Sequence, residues 1–189
     1  KAFRKPIHVI PPGAAATIFQ PDSTPNGNWP PSITESNFVV GYVGRLVFEK
    51  GLHVLIKALS RLDFSLTLVL VGEGPLKDEL ITKVASIPHV HLECLGAVSA
   101  DRMGDVYRLF DVLVLPSITT PEWKEQFGRV LSEAMLCEVS VLGSSSGEIP
   151  TVIGDGGLIF EEGNDQALAE QITRLYTDID LRHGLARRG

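Results

Sequence analysis

Val39-Val40-Gly41-Tyr42-Val43, followed by Gly44-Arg45-Leu46-Val47-Phe48-Glu49-Lys50-Gly51, decides how the chain is read. The first five residues form a short continuous apolar run, as a strand buried on both faces requires. Beyond the turn, Leu52, Leu55, Ile56 and Leu59 recur at helical spacing, which predicts a helix over Lys50 to Leu62.

The same alternation continues downstream. Leu66–Val71, Val90–Cys94, Val112–Leu115, Val139–Leu142 and Leu158–Phe160 read as further strands. Between them, helices are predicted from Pro75 through Val84, over Asp101–Arg108 and over Gly128–Cys137, with a last one over Gln166–Tyr176. Buried strands alternating with amphipathic helices specify an α/β fold, a doubly wound parallel-sheet Rossmann-like domain. In such a sheet a ligand lies beyond the C-terminal strand ends. The loops placed there are Gly44 to Lys50, Gly72 to Pro75, Leu95 to Ser99, Pro116 to Gly128 and Gly143 to Pro150.

Upstream the composition changes. Residues 11–36 contain Pro11, Pro12, Pro21, Pro25, Pro30 and Pro31 with Asn26-Gly27-Asn28, and read as an extended linker rather than a folded element. Ile7 to Ile10 is expected to be a short strand. The predicted organisation is therefore a strand and Pro-rich linker over 1–36 and one ligand-binding domain over 37–189.

Composition excludes several roles. Hydrophobic residues are 44% and charged residues 21%, enough apolar material for one core. The net charge of -6 argues against a nucleic-acid binder, while leaving local phosphate binding by a few cations open. Cys94 and Cys137 sit in apolar contexts and are expected to be buried thiols in a reducing, cytoplasmic setting. No apolar run approaches the roughly 18 residues of a membrane span, and no secretory signal is visible at the start. His8, His53, His89, His91 and His183 show no metal spacing, and none is expected to be catalytic.

Five segments could carry chemistry. Arg45 and Lys50 bracket the first turn, where Arg can grip phosphate in a bidentate way and Lys adds a point charge; a solvated turn with two surface cations would look the same. The turn has neither the dinucleotide glycine spacing nor a Walker Ser/Thr after the lysine. Gly72-Glu73-Gly74-Pro75 suits close ligand approach or a plain strand-to-helix turn. Leu95-Gly96-Ala97-Val98-Ser99 suits a flat base beside Val98 or a helix cap. Glu125-Gln126-Phe127-Gly128-Arg129-Val130-Leu131-Ser132-Glu133 is the most informative. Gly128 opens a helix whose free N–H groups can receive phosphate, and Glu133 lies about 12 Å from Glu125 at the helical rise. So spaced, the carboxylates fit two ends of a long hydroxylated ligand better than an acid/base pair, although Glu133 also suits a solvated helix face. Gly143-Ser144-Ser145-Ser146-Gly147-Glu148-Ile149-Pro150 reads as one wall of the site or a surface loop.

Together these residues resemble the C-terminal domain of family 4 of the retaining glycosyltransferases, the two-Rossmann-domain (GT-B) type. The resemblance runs from about Ile7 to Leu175. Ile7-His8-Val9-Ile10-Pro11-Pro12-Gly13 looks like that family's interdomain strand and turn, with Pro12-Gly13 where an Asn-Gly turn is usual. Gly44-Arg45-Leu46 with Lys50-Gly51 looks like its diphosphate turn, and Glu125-Gln126-Phe127-Gly128 with Glu133 like its two-glutamate motif. Gly147 to Ile153 with Gly156-Gly157 looks like the loop that follows. The chain departs at Leu136, Glu138 and Ser140, where the family has a small residue, glycine and proline; this bears on packing rather than chemistry.

The resemblance implies roles. Arg45 and Lys50 would neutralise the leaving diphosphate of a nucleotide-sugar donor, stabilising the transition state. Glu125, with the backbone at Phe127 and Gly128, would hold sugar hydroxyls. Glu133 would hold the ribose, the N–H groups near Arg129 and Val130 would meet phosphate, and Val98 would lie beside the base. No cofactor and no metal are implied, the cations and helix dipole doing a metal's electrostatic work. The family's N-terminal domain supplies the acceptor site and a catalytic histidine. No such domain precedes Lys1, so the chain is expected to be a fragment that binds donor weakly and transfers nothing alone. Its implied partners are a nucleotide sugar and that domain, through which it would associate peripherally with membrane. Three competing readings remain: a nucleotide-sugar epimerase, lacking placeable acid/base groups; a non-catalytic interaction domain; and an NAD-binding oxidoreductase, lacking the glycine fingerprint.

Overall fold

The computed structural model describes residues 13–21, 24–36 and 38–189. Six strands form one sheet: β1 (Val39–Val43), β2 (Leu66–Val71), β3 (Val90–Gly96), β4 (Val112–Leu115), β5 (Ser140–Ser144) and β6 (Gly157–Phe160). Their order is β3-β2-β1-β4-β5-β6, and every pairing is parallel. Strand order reverses between β1 and β4, so the connections leaving these two strands diverge and open a crevice at their C-terminal ends.

Both faces of the sheet are covered because its central strands are apolar on both. From β2, Leu68 and Leu70 enter one core cluster while Val69 and Val71 enter the other; β4 divides Val112 and Val114 from Leu113 and Leu115 in the same way. The first cluster packs α2 (Leu52–Leu59), α3 (Lys77–Val84) and α7 (Asp165–Thr177) on the sheet. The second packs α4 (Met103–Tyr107), α5 (Arg129–Leu136) and α6 (Ile149–Ile153) on its opposite face. This is the period-2 division that two-sided burial imposes.

Several boundaries differ from expectation. The first crossover helix starts at Leu52 because Phe48–Lys50 form a separate 3-10 turn. Gly51 closes that turn at φ 68°, and a Cβ there would stand 1.8 Å from the Pro116 carbonyl oxygen. β3 continues to Gly96, two residues past the predicted end. The helix expected over Asp101–Arg108 is a 3-10 turn, Ala100–Arg102, leading into α4.

Downstream of the linker segment, two helices escaped the sequence reading. α6 lies partly in a segment taken for loop because of Gly147 and Pro150, yet Pro150 falls in the first turn, where a missing N–H costs nothing. α8 (Ile179–Ala186) follows Asp178, whose side chain accepts a hydrogen bond from the Leu181 N–H at 2.8 Å.

The extended-linker reading is corrected over its described residues. Pro31–Thr34 form a short helix, α1, with Ile33 buried, and Thr67 donates its hydroxyl to the Ser32 carbonyl at 2.7 Å. Phe19 is buried with its ring edge-on to Tyr107. The strand expected at Ile7 to Ile10 lies outside the described residues. Cys137 is buried, but Cys94 is only partly so, because β3 is an edge strand.

Glu138 ends the α5–β5 turn at φ 52°, the sole non-glycine among the described residues with positive φ. The left-handed region costs a residue with a Cβ about 1–2 kcal/mol. Replacing Glu138 by Gly relieves that strain against a smaller entropic penalty. Glu138→Gly is expected to raise unfolding free energy by about 0.5–1 kcal/mol, read from urea midpoints; an unchanged or lower midpoint contradicts it.

Candidate functional site

The crevice at the β1/β4 reversal holds a cavity of about 390 Å³ lined by Val43, Gly44, Arg45, Lys50, Leu115, Glu125, Gly128, Arg129 and Val130. Four of the predicted features therefore meet: the Arg45 turn, Lys50, Glu125 and the start of α5. Another hollow, about 360 Å³ and bordered by Glu35, Ser65 and His91, lies at the N-terminal ends of β2 and β3. That is the wrong edge for a switch-point ligand.

The loops are fixed mainly through their backbone. Tyr42, buried on β1, donates its hydroxyl to the Arg45 carbonyl at 2.7 Å. Leu46 N–H donates to the Glu73 carbonyl at 3.0 Å, so the Gly72 to Pro75 turn braces the first loop. Ile118 N–H donates to the Glu49 carbonyl at 2.9 Å and ties the loop after β4 to the loop after β1. Glu148 N–H donates to the Glu125 carbonyl at 3.1 Å. Gly147, at φ 56°, lies so close that a Cβ would be 1.9 Å from the same oxygen. The polar loop after β5 is thus the support that sets Glu125 in place.

On this frame Lys50 Nζ stands 2.6 Å from Glu125 Oε2, with the two side chains 16% and 10% exposed. Ser117 Oγ donates to the same oxygen at 3.0 Å. The Trp123 ring lies on the ammonium, its centroid 4.7 Å from Nζ. Arg45 is different: its guanidinium is largely exposed and, among the described residues, pairs with Glu49 at 3.3 Å. An exposed pair of this kind binds weakly and leaves the guanidinium available.

The start of α5 provides backbone donors. Gly128 caps it in the left-handed conformation with no side-chain acceptor, so the first N–H groups of the helix remain for a ligand. Val98 and Phe127 are partly buried and, with Glu133, do not line the cavity. Val98 packs against the core beneath the α4–α5 face. Glu133 sits a helical turn beyond Arg129, where Arg129 Nε is 3.1 Å from Oε1 and the Tyr107 hydroxyl donates to Oε2 at 2.6 Å. It is therefore not the solvated helix residue that its sequence also allowed.

Sequence reading missed Ser117, Trp123 and Tyr107. Ser117 was findable as a hydroxyl just past a buried strand. Trp123 was findable as an aromatic in a polar loop. Tyr107 carried no signal, since only the α4–α5 packing brings it to Glu133. Tyr42 and Tyr107 both have pKa values pushed far above the ordinary tyrosine range. Burial is the main cause for each, followed by the charge of Glu125 for Tyr42 and of Glu133 for Tyr107.

The family model of glycosyl transferases group 1 matches residues 27–189. A glycosyltransferase of uncharacterised specificity from Methanocaldococcus jannaschii is 33% identical over 150 residues, covering 78% of this chain and 41% of its own. The chain thus spans about two-fifths of the length of the curated relatives it matches. The crystal structure of Anabaena HepE in complex with UDP and glucose superposes with a TM-score of 0.72 at 27% identity, over 93% of this chain and 48% of that one. The C-terminal domain of LpcC, a glycosyl transferase group 1 family protein from Francisella tularensis, gives a TM-score of 0.74 at 24% identity, over 93% of each chain. The fold is accordingly that of the C-terminal half of the architecture expected from the sequence.

The tyrosines set a pH limit on the site. Their folded pKa values are raised, so both states keep the phenolic protons below the unfolded value of about 10, and only the unfolded state loses them above it. Stability is therefore full below that pH and falls as pH rises past it. Urea midpoints measured at about pH 9 and 11 should drop at the higher pH, and Tyr107→Phe should shrink the drop. An identical drop in that variant would remove Tyr107 from the account.

Proposed function

Because the chain belongs to the glycosyl transferases group 1 family, we propose that it is the donor-binding half of an enzyme that moves a sugar from a nucleotide-diphosphate sugar to an acceptor. One observation carries the reading. A single cavity at the strand-order reversal brings together three cationic residues (Arg45, Lys50 and Arg129), a carboxylate and a helix N-terminus. Cations and helix N–H groups suit a diphosphate, and a carboxylate suits sugar hydroxyls. In HepE, UDP and glucose occupy the related structure together.

In this reading Arg45 and Lys50 are catalytic through charge. As the bond from sugar C1 to the phosphate oxygen breaks, its electron pair stays on the diphosphate, and the two cations meet the growing charge. Glu125 holds and orients the sugar, helped by the backbone at Phe127 and Gly128. The N–H groups of Arg129 and Val130 hold phosphate. Glu133 grips the ribose further along α5, its carboxylate already aimed by Tyr107 and Arg129. Val98 borders the base.

The reaction proposed is metal-independent and retaining, with Arg45, Lys50 and the α5 dipole supplying the electrostatics. Residues 37–189 form the donor domain, and the preceding segment leads to an N-terminal partner domain that holds the acceptor. The chain alone binds donor and does not transfer. We place the enzyme in the cytoplasm, and among the described residues no helix is long and apolar enough to cross a membrane. An epimerase or a non-catalytic domain finds no specific support in the site.

Isothermal titration with UDP-, GDP- and ADP-sugars in excess EDTA tests this. One nucleotide class should bind without added metal, and Lys50→Ala should weaken it by about tenfold or more, with Arg45→Ala smaller but in the same direction. Binding that needs a divalent cation would overturn the metal-independent mechanism. Absence of binding by every class would overturn the donor-site assignment.

A further inference from the structure

Lys50 is not waiting free for a diphosphate: it is already neutralised. Its ammonium is 2.6 Å from Glu125 Oε2 and backed by the Trp123 ring, and both charged side chains are mostly enclosed. A diphosphate must draw the ammonium away from that carboxylate. Glu125 cannot simply swing aside, since its carbonyl is held by Glu148 N–H, its backbone is closed in by Gly147, and its Oε2 is held by Ser117. Its Oε1 accepts from none of the described residues' donors.

The two ligands of the reaction cycle differ in what they return to Glu125. Once Lys50 turns to phosphate, the carboxylate keeps Ser117 alone and faces a new anion in a confined site. An ionised group left short of partners there is costly. A donor carries sugar hydroxyls that can refill the vacated lone pairs. The spent nucleoside diphosphate has lost those hydroxyls with the sugar, and the ribose hydroxyls it keeps belong to Glu133 in the donor-site reading.

Building on the donor-site reading, we propose that Glu125 discriminates loaded from spent nucleotide by competing with the diphosphate for Lys50. The sugar-bearing donor compensates the carboxylate for its lost partner, whereas the product leaves it uncompensated and is expelled as Lys50 returns. Glu125 therefore acts at both ends of turnover, holding the sugar on entry and shortening the stay of the product.

Titration of the 189-residue chain with UDP and UDP-glucose, and with GDP/GDP-mannose and ADP/ADP-glucose in parallel, tests this on whichever pair binds. Glu125→Gln, which keeps the shape and removes the charge, is expected to bind the free diphosphate at least about fivefold tighter than wild type while gaining nothing for the sugar nucleotide. Ser117→Ala keeps the charge and strips its remaining partner. It should weaken the free diphosphate by about fivefold and the sugar nucleotide less. A Glu125→Gln protein with an intact melting transition that binds the diphosphate no tighter than wild type overturns the proposal. If that variant does not fold, equal losses for both ligands in Ser117→Ala overturn it instead. Wild type that binds neither member of any pair overturns the donor-site reading itself, and the discrimination with it.

Discussion

A parallel sheet puts the C-terminal ends of all its strands on one edge, and each strand must be followed by a crossover before the next can begin. Here that constraint acts on six strands in the order β3-β2-β1-β4-β5-β6. The chain winds outward from β1 and then returns to lay β4 against it, so two loops remote in sequence leave the sheet side by side in opposite senses. No helix can cover the gap between them. The cavity with Arg45, Lys50 and Glu125 is that gap, furnished.

What furnishes it is a network in which charge and backbone reinforce each other. The ion pair of Lys50 and Glu125 links the loop after β1 to the loop after β4 at the same place where Ile118 N–H meets the Glu49 carbonyl. The loop after β5 then buttresses Glu125 through Glu148 N–H. An ion pair removed this far from water contributes little net stability, since desolvation offsets most of its attraction. Its role is to tie the loop after β1 to the loop after β4 across the cavity.

The opposite face shows the same economy. Tyr107 is fully buried, and its hydroxyl is satisfied by Glu133, so the α4–α5 contact is at once core packing and the fixing of a carboxylate. Nearby, Glu138 adopts a left-handed backbone and Leu136 is exposed. Both lie at the far end of α5, away from its N-terminal turn.

The sequence by itself determined the sheet, because two-sided burial writes itself as uninterrupted apolar runs: β2 and β4 were legible to the residue. Of the residues it singled out, Arg45, Lys50, Glu125, Gly128, Arg129 and Val130 line the cavity, whereas Val98, Phe127 and Glu133 do not. It missed α6 and α8, whose short amphipathic patterns were masked by glycine and proline, and it mistook packed residues near Phe19 and Ile33 for linker. Only the tertiary structure decided what each charge rests against. Lys50 and Glu125 are 75 residues apart, and Tyr107 and Glu133 are 26 apart. Periodicity reports the face on which a residue lies, but a hydrogen-bond partner across two crossovers depends on strand order and helix packing, which no local pattern encodes.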